Sequence, residues 1–159
     1  MRDIIRLGLF LLVAISVIKF IDAHYGLTVV VGTSMEPTYK DNDLVVLDRT
    51  KEPEVGDIVL IYAEQLNKIL CKRLIGLGGN HIVLTKDGIT NGGILLPEYF
   101  ENERNWCSAT YNILPIDINV PLVSVYVLGD NRVDSADSRH FGCFEKSNIE
   151  GVCIYNISR

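Results

Sequence analysis

The stretch 69–75, ILCKRLI, places two adjacent cations inside an otherwise apolar run. Side chains alternate between the two faces of a strand, so Lys72 shares one face with Leu70 and Leu74. Arg73 lies on the other face, which is also largely apolar. Strands that are buried on both faces have this pattern, because neither face can be left to water. The stretch therefore predicts a buried strand with a lysine and an arginine in its interior.

Short runs rich in valine and isoleucine extend on both sides of this strand, and turn-forming residues separate them. Asp87 and Gly88 between two of the runs predict a hairpin, since both residue types tolerate a positive φ. Residues 91–119 have the least regular pattern and are interpreted as an excursion from the sheet. The predicted strands are 28–31, 44–47, 58–62, 68–75, 81–85, 120–128 and 152–157. The fold class is therefore mainly β, in one domain over residues 26–159.

Composition limits the classes of protein that this chain can represent. It has 159 residues, 48% of them hydrophobic, with 15 basic against 20 acidic side chains and a net charge of −5. The length suits one domain with a small appendage. Nucleic-acid binding is disfavoured because it needs a basic surface, and disorder is disfavoured by the high apolar content. A hydrophobic fraction this high in an acidic chain indicates a local apolar segment.

That segment lies at the N-terminus, where Leu7–Ile18 holds 12 residues without a charge. A 12-residue helix spans about 18 Å, whereas Ile4–Ile21 spans about 27 Å of a roughly 30 Å hydrocarbon core. Arg6 and Lys19 lie near the ends of the longer segment, where basic side chains can reach the headgroups. The segment 1–25 is predicted to be a membrane anchor that crosses at about residues 4–21. The alternatives are a cleaved signal peptide and a buried core helix.

A serine and a possible base form the first chemical feature. Residues 31–38, VGTSMEPT, lead an apolar strand into a turn that presents Ser34. His140 could act as the base, but Lys72 is the better candidate because burial can remove its proton. Lowering a lysine pKa from about 10.4 to about 8 costs about 3–4 kcal/mol, which burial can supply. A neutral lysine can then accept the proton of a hydroxyl. The alternative is that Lys72 extends to solvent from an edge strand.

The stretch 129–142, GDNRVDSADSRHFG, contains more Asp, Ser and Arg than an ordinary loop needs. It follows an apolar run, at a point where the core would otherwise be completed. A hydroxyl from this stretch can orient a neutral lysine, and Asp–Arg pairs can brace the loops. It is therefore interpreted as support for a site that contains Ser34 and Lys72.

The four cysteines indicate no metal site. Cys71, Cys107, Cys143 and Cys153 form no CxxC pair and have no histidine at metal-ligand spacing. A disulfide is possible if the domain lies outside the cytoplasm, and buried thiols are the alternative.

The stretches GTSMEPT, EVGDIV, KRLIGLGG and GDNRVDSADSRHFG, in this order, resemble the sequence boxes of bacterial type I signal peptidases, the Ser/Lys serine proteases of family S26. The resemblance implies a signal-peptidase-like β catalytic domain behind one N-terminal transmembrane helix. It also implies that Ser34 is the nucleophile, Lys72 the general base, and Ser135 the residue that orients the lysine amine. The supporting residues that it implies are Met35, Arg73, Asp130, Asp137 and Arg139.

The resemblance further implies what the protein acts on and where. The substrates would be secretory preproteins, cleaved after small-x-small motifs through an acyl-enzyme, with no cofactor and no metal. The partners would then be these preproteins and membrane lipid, with no nucleic acid. Arg2 and Arg6 precede the apolar run, which places the N-terminus inside and the catalytic domain on the outer face of the bacterial cytoplasmic membrane. The alternatives are an inactive membrane-anchored partner subunit and a Ser/Lys self-cleaving repressor-type protease.

Overall fold

The computed structural model describes residues 2–85, 87–97 and 115–158. The described chain begins with a helix, α1 (Arg2–His24), which leads directly into β1. A short helix, α2 (Ser138–Phe141), follows the polar stretch that begins at residue 129. The strands are β1 (Tyr25–Val29), β2 (Leu44–Asp48), β3 (Ile58–Ala63), β4 (Lys68–Leu77), β5 (His81–Thr85), β6 (Gly88–Asn91), β7 (Ile94–Leu95), β8 (Ile116–Asn119), β9 (Ser124–Leu128), β10 (Phe144–Glu145) and β11 (Ile149–Asn156).

These strands form two antiparallel sheets, so the prediction of a mainly β fold is confirmed. The larger sheet has the order β1-β2-β11-β3-β4-β9-β10, and the smaller has the order β7-β6-β5-β8. The strand that carries Lys72 is β4, which lies between β3 and β9 in the interior of the larger sheet. Lys72 is 3% exposed and Arg73 is 7% exposed. The alternative that Lys72 extends to solvent from an edge strand is therefore wrong.

Among the described residues, three buried apolar clusters stabilise the two sheets. The cluster that matters for the site contains Met35, and we call it the Met35 cluster; it consists of Val30, Met35, Tyr39, Val45 and Ile58. A second cluster, built on β3, β4 and β9, contains Val59, Ile61, Ala63, Leu74, Val125, Val127, Phe144 and Val152. The third joins the two sheets and contains Ile75, Ile82, Leu84, Ile89, Val120, Tyr126 and Leu128.

Most predicted strands are present, and the differences have local causes. The hairpin at Asp87 is confirmed, since β5 and β6 pair with Thr85 opposite Gly88. The predicted strand 120–128 begins only at Ser124, because Pro121 has no N–H for a ladder and its carbonyl closes a turn with Ser124. The strand predicted at 28–31 is present as β1, which begins three residues earlier, at Tyr25. The prediction that residues 91–119 lie outside a sheet is wrong for β7 and β8, and residues 98–114 of it lie outside the described residues.

The N-terminal apolar segment is helical and exposed. Large apolar side chains on α1 are 59–68% exposed, as at Phe10, Leu12, Ile18 and Phe20. The alternative of a buried core helix is therefore wrong. Within the described residues, no helix reaches the length and apolarity required to cross a membrane.

Candidate active site

Ser34 lies in a tight turn that begins where β1 leaves the sheet. Gly32 opens the turn with a φ of +88°, a conformation that favours glycine, and its N–H donates to the Asp41 carboxylate at 2.7 Å. A short hydrogen bond from the Glu36 N–H to the Thr33 carbonyl, at 3.0 Å, closes the turn around Ser34. Ser34 is half-buried in this turn.

The amine of Lys72 reaches this serine from β4. Its Nζ lies 2.7 Å from Ser34 Oγ and donates to the Cys71 carbonyl at 2.8 Å. Burial lowers the pKa of Lys72, although the Cys71 thiol and the Asp137 and Asp130 carboxylates oppose that effect. A hydroxyl and an amine at this distance have the geometry that a nucleophile and its general base require.

Asp130 joins the serine turn to the lysine strand. Its carboxylate accepts two hydrogen bonds from the Arg73 guanidinium, at 2.8 Å from Nε and 2.7 Å from Nη2. It also accepts from the Thr38 hydroxyl at 2.7 Å, four residues after Ser34 in the chain. Arg73 uses its remaining Nη1 on the Gly56 carbonyl at 2.7 Å. The fully buried carboxylate therefore holds the two segments in a fixed relation.

Asp137 is a second fully buried carboxylate near the site, and it organises the loop after β9. It caps α2 and accepts from Arg139 through Nε and Nη2, both at 2.8 Å. It also accepts from the Gly129 N–H at 2.9 Å. Burial alone would raise the pKa of Asp137, but the hydrogen bonds and charge of Arg139 hold it below its usual range. Asp137 is therefore an ionised structural anchor.

Ser135 lies between this loop and the serine turn. A side chain at Gly129 would place its Cβ 2.1 Å from Ser135 Oγ and 2.6 Å from the Ser34 carbonyl oxygen, so only glycine fits there. Arg73 pairs with Leu128 in the β4–β9 ladder, and continuing that register brings Gly129 beside Lys72.

The Ser135 hydroxyl is buried and meets no partner in hydrogen-bond geometry among the described residues, although it helps to lower the pKa of Asp137. It is therefore a buried hydroxyl that lies close to the backbone of the Ser34 turn.

The remaining residues suggested by sequence lie at different depths around this site. Met35 is fully buried and belongs to the Met35 cluster, directly below the serine turn. His140 faces Asp137 at 4.0 Å with a side chain that is 53% exposed. Cys71, Cys143 and Cys153 are free thiols, and Cys107 lies outside the described residues. Among the residues that are described, no three His, Cys, Asp or Glu side chains could together hold a metal ion.

Sequence reasoning missed several residues that complete the site. Asn131 donates from its backbone to the Ser34 carbonyl at 3.0 Å and from its amide to the Thr33 carbonyl at 3.2 Å. Arg132 is buried and donates from Nε to the Gly129 carbonyl at 2.9 Å. Both lie in the polar stretch that is predicted to support the site, but nothing in the sequence indicates that Asn131 contacts the serine turn or that Arg132 binds the Gly129 carbonyl. Thr38 was missed because a threonine after a proline has no distinctive signal.

Comparisons with known proteins agree with this geometry. Residues 1–156 match the family described as signal peptidase, peptidase S26. The chain is 35% identical over 133 residues to signal peptidase I P of Bacillus subtilis subsp. natto, covering 78% of this chain and 72% of the relative. It is 37% identical over 133 residues to signal peptidase I V of Bacillus subtilis (strain 168), covering 76% of this chain and 79% of the relative.

The fold also resembles a solved enzyme. A signal peptidase I from Enterococcus faecalis V583 superposes with a TM-score of 0.55 at 29% identity, covering 64% of this chain and 97% of that one. The family match extends over nearly the whole sequence, including α1 and the segments that carry Ser34 and Lys72. The chain therefore belongs to the signal peptidase family, peptidase S26, and is a serine endopeptidase.

Proposed function

We propose that this protein removes N-terminal signal peptides from exported preproteins, with Ser34 as the nucleophile and Lys72 as the general base. The observation that carries the proposal is the 2.7 Å separation of Lys72 Nζ and Ser34 Oγ, at a lysine that is only 3% exposed. The relatives are named signal peptidase I, which supports this substrate class.

The lowered pKa of Lys72 supports its role as a base. Burial disfavours the ammonium and so favours the neutral amine, whose nitrogen lies 2.7 Å from the serine hydroxyl oxygen. Arg73, the neighbouring cation, is held in an ion pair by Asp130, and a guanidinium does not serve as a general base in proteins. Only the lysine of this pair can therefore exchange a proton with the substrate.

The reaction would proceed in two halves. Ser34 Oγ attacks the scissile carbonyl carbon while its proton passes to Lys72 Nζ, and a tetrahedral oxyanion forms. The C–N bond then breaks, Lys72 returns the proton to the leaving amine, and an acyl-enzyme remains on Ser34. In the second half Lys72 takes a proton from water as the water oxygen attacks the ester carbon. The C–O bond to Ser34 then breaks, and Lys72 returns the proton to Ser34 Oγ.

Two further groups fit this course. The Ser34 N–H donates to none of the described residues, so it is available to the oxyanion. The Ser135 hydroxyl is buried near the Ser34 turn, where it would hold the lysine amine toward Ser34. Its role would be positioning, because it fixes the direction of the lone pair.

The substrate would bind as an added strand. β1 lies at the edge of the larger sheet and leads into the Ser34 turn, so a peptide paired along this region would reach the hydroxyl. The proposed cleavage after small-x-small motifs is supported by membership of the signal peptidase family.

The exposed helix supports a location at the membrane. The apolar side chains of α1 are covered by no other described part of the chain, and water is a poor solvent for them. We propose that α1 anchors the protein in the bacterial cytoplasmic membrane, with the N-terminus inside and the catalytic domain on the outer face. The anchor would keep the active site near preproteins that emerge from the same membrane.

Cleavage by the purified protein in detergent tests the activity and its residues. The substrate is a preprotein with an Ala-X-Ala site, and the variants are Ser34→Ala and Lys72→Ala. The matched controls are Ser147→Ala and Lys68→Ala, both at exposed positions. We expect loss of cleavage in the first pair only; a variant of either proposed catalytic residue that cleaves at the wild-type rate would refute the assignment. Cleavage by none of the proteins would refute the substrate class.

Extraction of bacterial membranes at alkaline pH tests the anchor. The intact chain should stay in the pellet, and external protease should degrade the catalytic domain in spheroplasts. Release into the supernatant would contradict the anchor, and protection from protease would contradict the outward orientation.

A further inference from the structure

Asn131 contacts the backbone of the serine turn from the loop that follows β9. Its side-chain Nδ2 donates to the Thr33 carbonyl at 3.2 Å, and its backbone N–H donates to the Ser34 carbonyl at 3.0 Å. These carbonyls belong to the peptide groups on the two sides of the Ser34 Cα atom. A single residue of the support loop therefore binds both peptide groups that flank the proposed nucleophile.

The orientation of the Thr33 carbonyl determines the direction of the Ser34 N–H. Both groups belong to one trans peptide unit, which is planar, so the C=O and the N–H point in opposite directions. A second donor to this carbonyl is the Glu36 N–H at 3.0 Å. The backbone of the turn and the side chain of Asn131 together fix the peptide plane, and with it the direction of the Ser34 N–H.

The amide of Asn131 is itself held in one orientation. Its Oδ1 accepts from the Asp134 N–H at 3.3 Å, which leaves Nδ2 to face Thr33. The Asp134 carboxylate accepts from the Thr33 hydroxyl at 2.7 Å, so three residues form a closed ring of contacts. Because the Thr33 hydroxyl donates its proton within this ring, the donor that the Thr33–Ser34 segment offers to an oxyanion is the backbone N–H of Ser34.

We propose that Asn131 is a positioning residue that orients the Ser34 N–H as an oxyanion donor. The assignment rests on the proposed function, in which this N–H stabilises the tetrahedral intermediate. An oxyanion donor is effective when it already points to the place where negative charge develops. Ser34 carries the donor on the same residue as the nucleophile, so its hydroxyl and its N–H need separate supports. Lys72 contacts the hydroxyl at 2.7 Å, and the Asn131 amide sets the direction of the N–H.

Changing the Asn131 side chain keeps its backbone bond to Ser34 and alters the contact with Thr33. Asn131→Asp has the same shape, but its carboxylate has no N–H and repels the carbonyl that the amide held; Asn131→Ala removes the contact without adding a charge. The oxyanion is absent from the bound substrate, so the loss should appear in kcat and leave KM unchanged. We expect kcat to fall about 100-fold for Asn131→Asp and about 10-fold for Asn131→Ala, because loss of a whole oxyanion donor costs about 10²–10³-fold.

Cleavage kinetics and the binding of two matched peptides, measured on the full chain in detergent, test this role. One peptide ends in an aldehyde after an Ala-X-Ala sequence: Ser34 Oγ bonds to its carbon, the serine proton passes to Lys72, and the aldehyde oxygen becomes the oxyanion. The corresponding peptide alcohol cannot form this bond. Asn131→Asp should weaken binding of the aldehyde by about 100-fold, as for kcat, and leave the affinity for the alcohol unchanged.

The matched control is Asn119→Asp, the same change at an exposed position on β8 of the smaller sheet. It should keep the wild-type kcat and the wild-type affinity for both peptides. Thermal unfolding of each variant checks that the fold is retained. The pH profile of kcat/KM for Asn131→Ala should keep the wild-type shape, because the lysine and its surroundings are unchanged.

Three outcomes would overturn the proposal. Equal weakening of the aldehyde and the alcohol would mean that Asn131 shapes the peptide-binding surface instead of the oxyanion site. A wild-type kcat in Asn131→Asp would mean that the turn holds the N–H without the amide. A displaced pH profile in Asn131→Ala would mean that the residue acts through Lys72. If the wild type binds the aldehyde but does not cleave the preprotein, the proposed function alone fails, since the comparison of the two peptides still measures the oxyanion site.

Discussion

Replacing Lys72 by methionine separates the effect of the lysine on the cleavage rate from its effect on the free energy of unfolding. The side chain is 3% exposed, and burial lowers its pKa. Methionine has a similar length and no charge, so Lys72→Met keeps most of the packing and removes the desolvation penalty. We expect the cleavage rate to fall by about 10²–10⁴-fold, the usual contribution of a general base. The free energy of unfolding at neutral pH should rise.

The pH dependence of stability follows from the direction of the pKa shift. The unfolded chain keeps the Lys72 proton up to the ordinary lysine pKa of about 10.4, whereas the folded chain loses it at lower pH. Between these two values the unfolded state binds more protons, so wild-type stability increases with pH. The maximum slope for one proton is about 1.4 kcal/mol per pH unit. The advantage of Lys72→Met is therefore largest at low pH and disappears as the pH rises through this window.

Urea unfolding and cleavage assays on the same preparations measure both effects. Wild type, Lys72→Met and the control Lys68→Met, at the exposed start of β4, are compared from neutral pH to about 10.5, near the lysine pKa. Lys68→Met should follow wild type in both assays. A stability difference between wild type and Lys72→Met that does not change with pH would refute the buried ammonium. A cleavage rate within tenfold of wild type would refute the role as a base.

Three other substitutions test the groups around the lysine. Asp130→Asn breaks the buried charge pair with Arg73 and should lower the free energy of unfolding by about 3–5 kcal/mol in urea. Gly129→Ala places a Cβ 2.1 Å from Ser135 Oγ, and the resulting displacement should lower kcat by about 100-fold in the cleavage assay. Asp137 has a lowered pKa in the folded protein. Its ionised carboxylate therefore stabilises the fold above the ordinary aspartate pKa of about 3.9, and this stabilisation is lost as the pH falls through the pKa of the folded state. Asp137→Asn should remove that part of the acid dependence of thermal stability.

Matched changes distinguish these effects from nonspecific damage. Asp134→Asn alters an exposed carboxylate that accepts from the Thr33 hydroxyl at 2.7 Å, and it should cost no more than about 1 kcal/mol. Equal losses for Asp130→Asn and Asp134→Asn would contradict the argument from burial. Full activity of Gly129→Ala would mean that the loop moves freely away from the serine turn. If Asp137→Asn does not change the loss of thermal stability at acid pH, that loss comes from other carboxylates.

The buried strand around Lys72 could be predicted from the sequence, because a strand that is buried on both faces has apolar residues at nearly all consecutive positions. It also located the serine turn, since an apolar run followed by Gly32 and a proline marks the end of a strand. The order of strands in the sheets was beyond its reach. β11 lies between β2 and β3 although it comes last in the chain, and no local pattern records such long-range pairing.

The contacts between distant segments could be predicted only in part. Resemblance to a family suggested that Asp130, Asp137, Arg73 and Arg139 support the site, but not which atoms they bind. The bond from Thr38 to Asp130 spans 92 positions, and that from the Asn131 N–H to the Ser34 carbonyl is equally nonlocal. Such bonds depend on side-chain rotamers and loop paths, which many sequences of the same composition would not share.

The arrangement of charge explains why a buried lysine can coexist with two buried carboxylates. Unpaired, Asp130 and Asp137 would each stabilise the Lys72 ammonium and hold it protonated, which works against a base. Each carboxylate instead has its own guanidinium, and the charge of Arg139 lowers the pKa of Lys72. The arginines therefore have two consequences: they stabilise the loops that meet at the site, and they reduce the negative potential at the amine. Burial can then dominate the titration of Lys72.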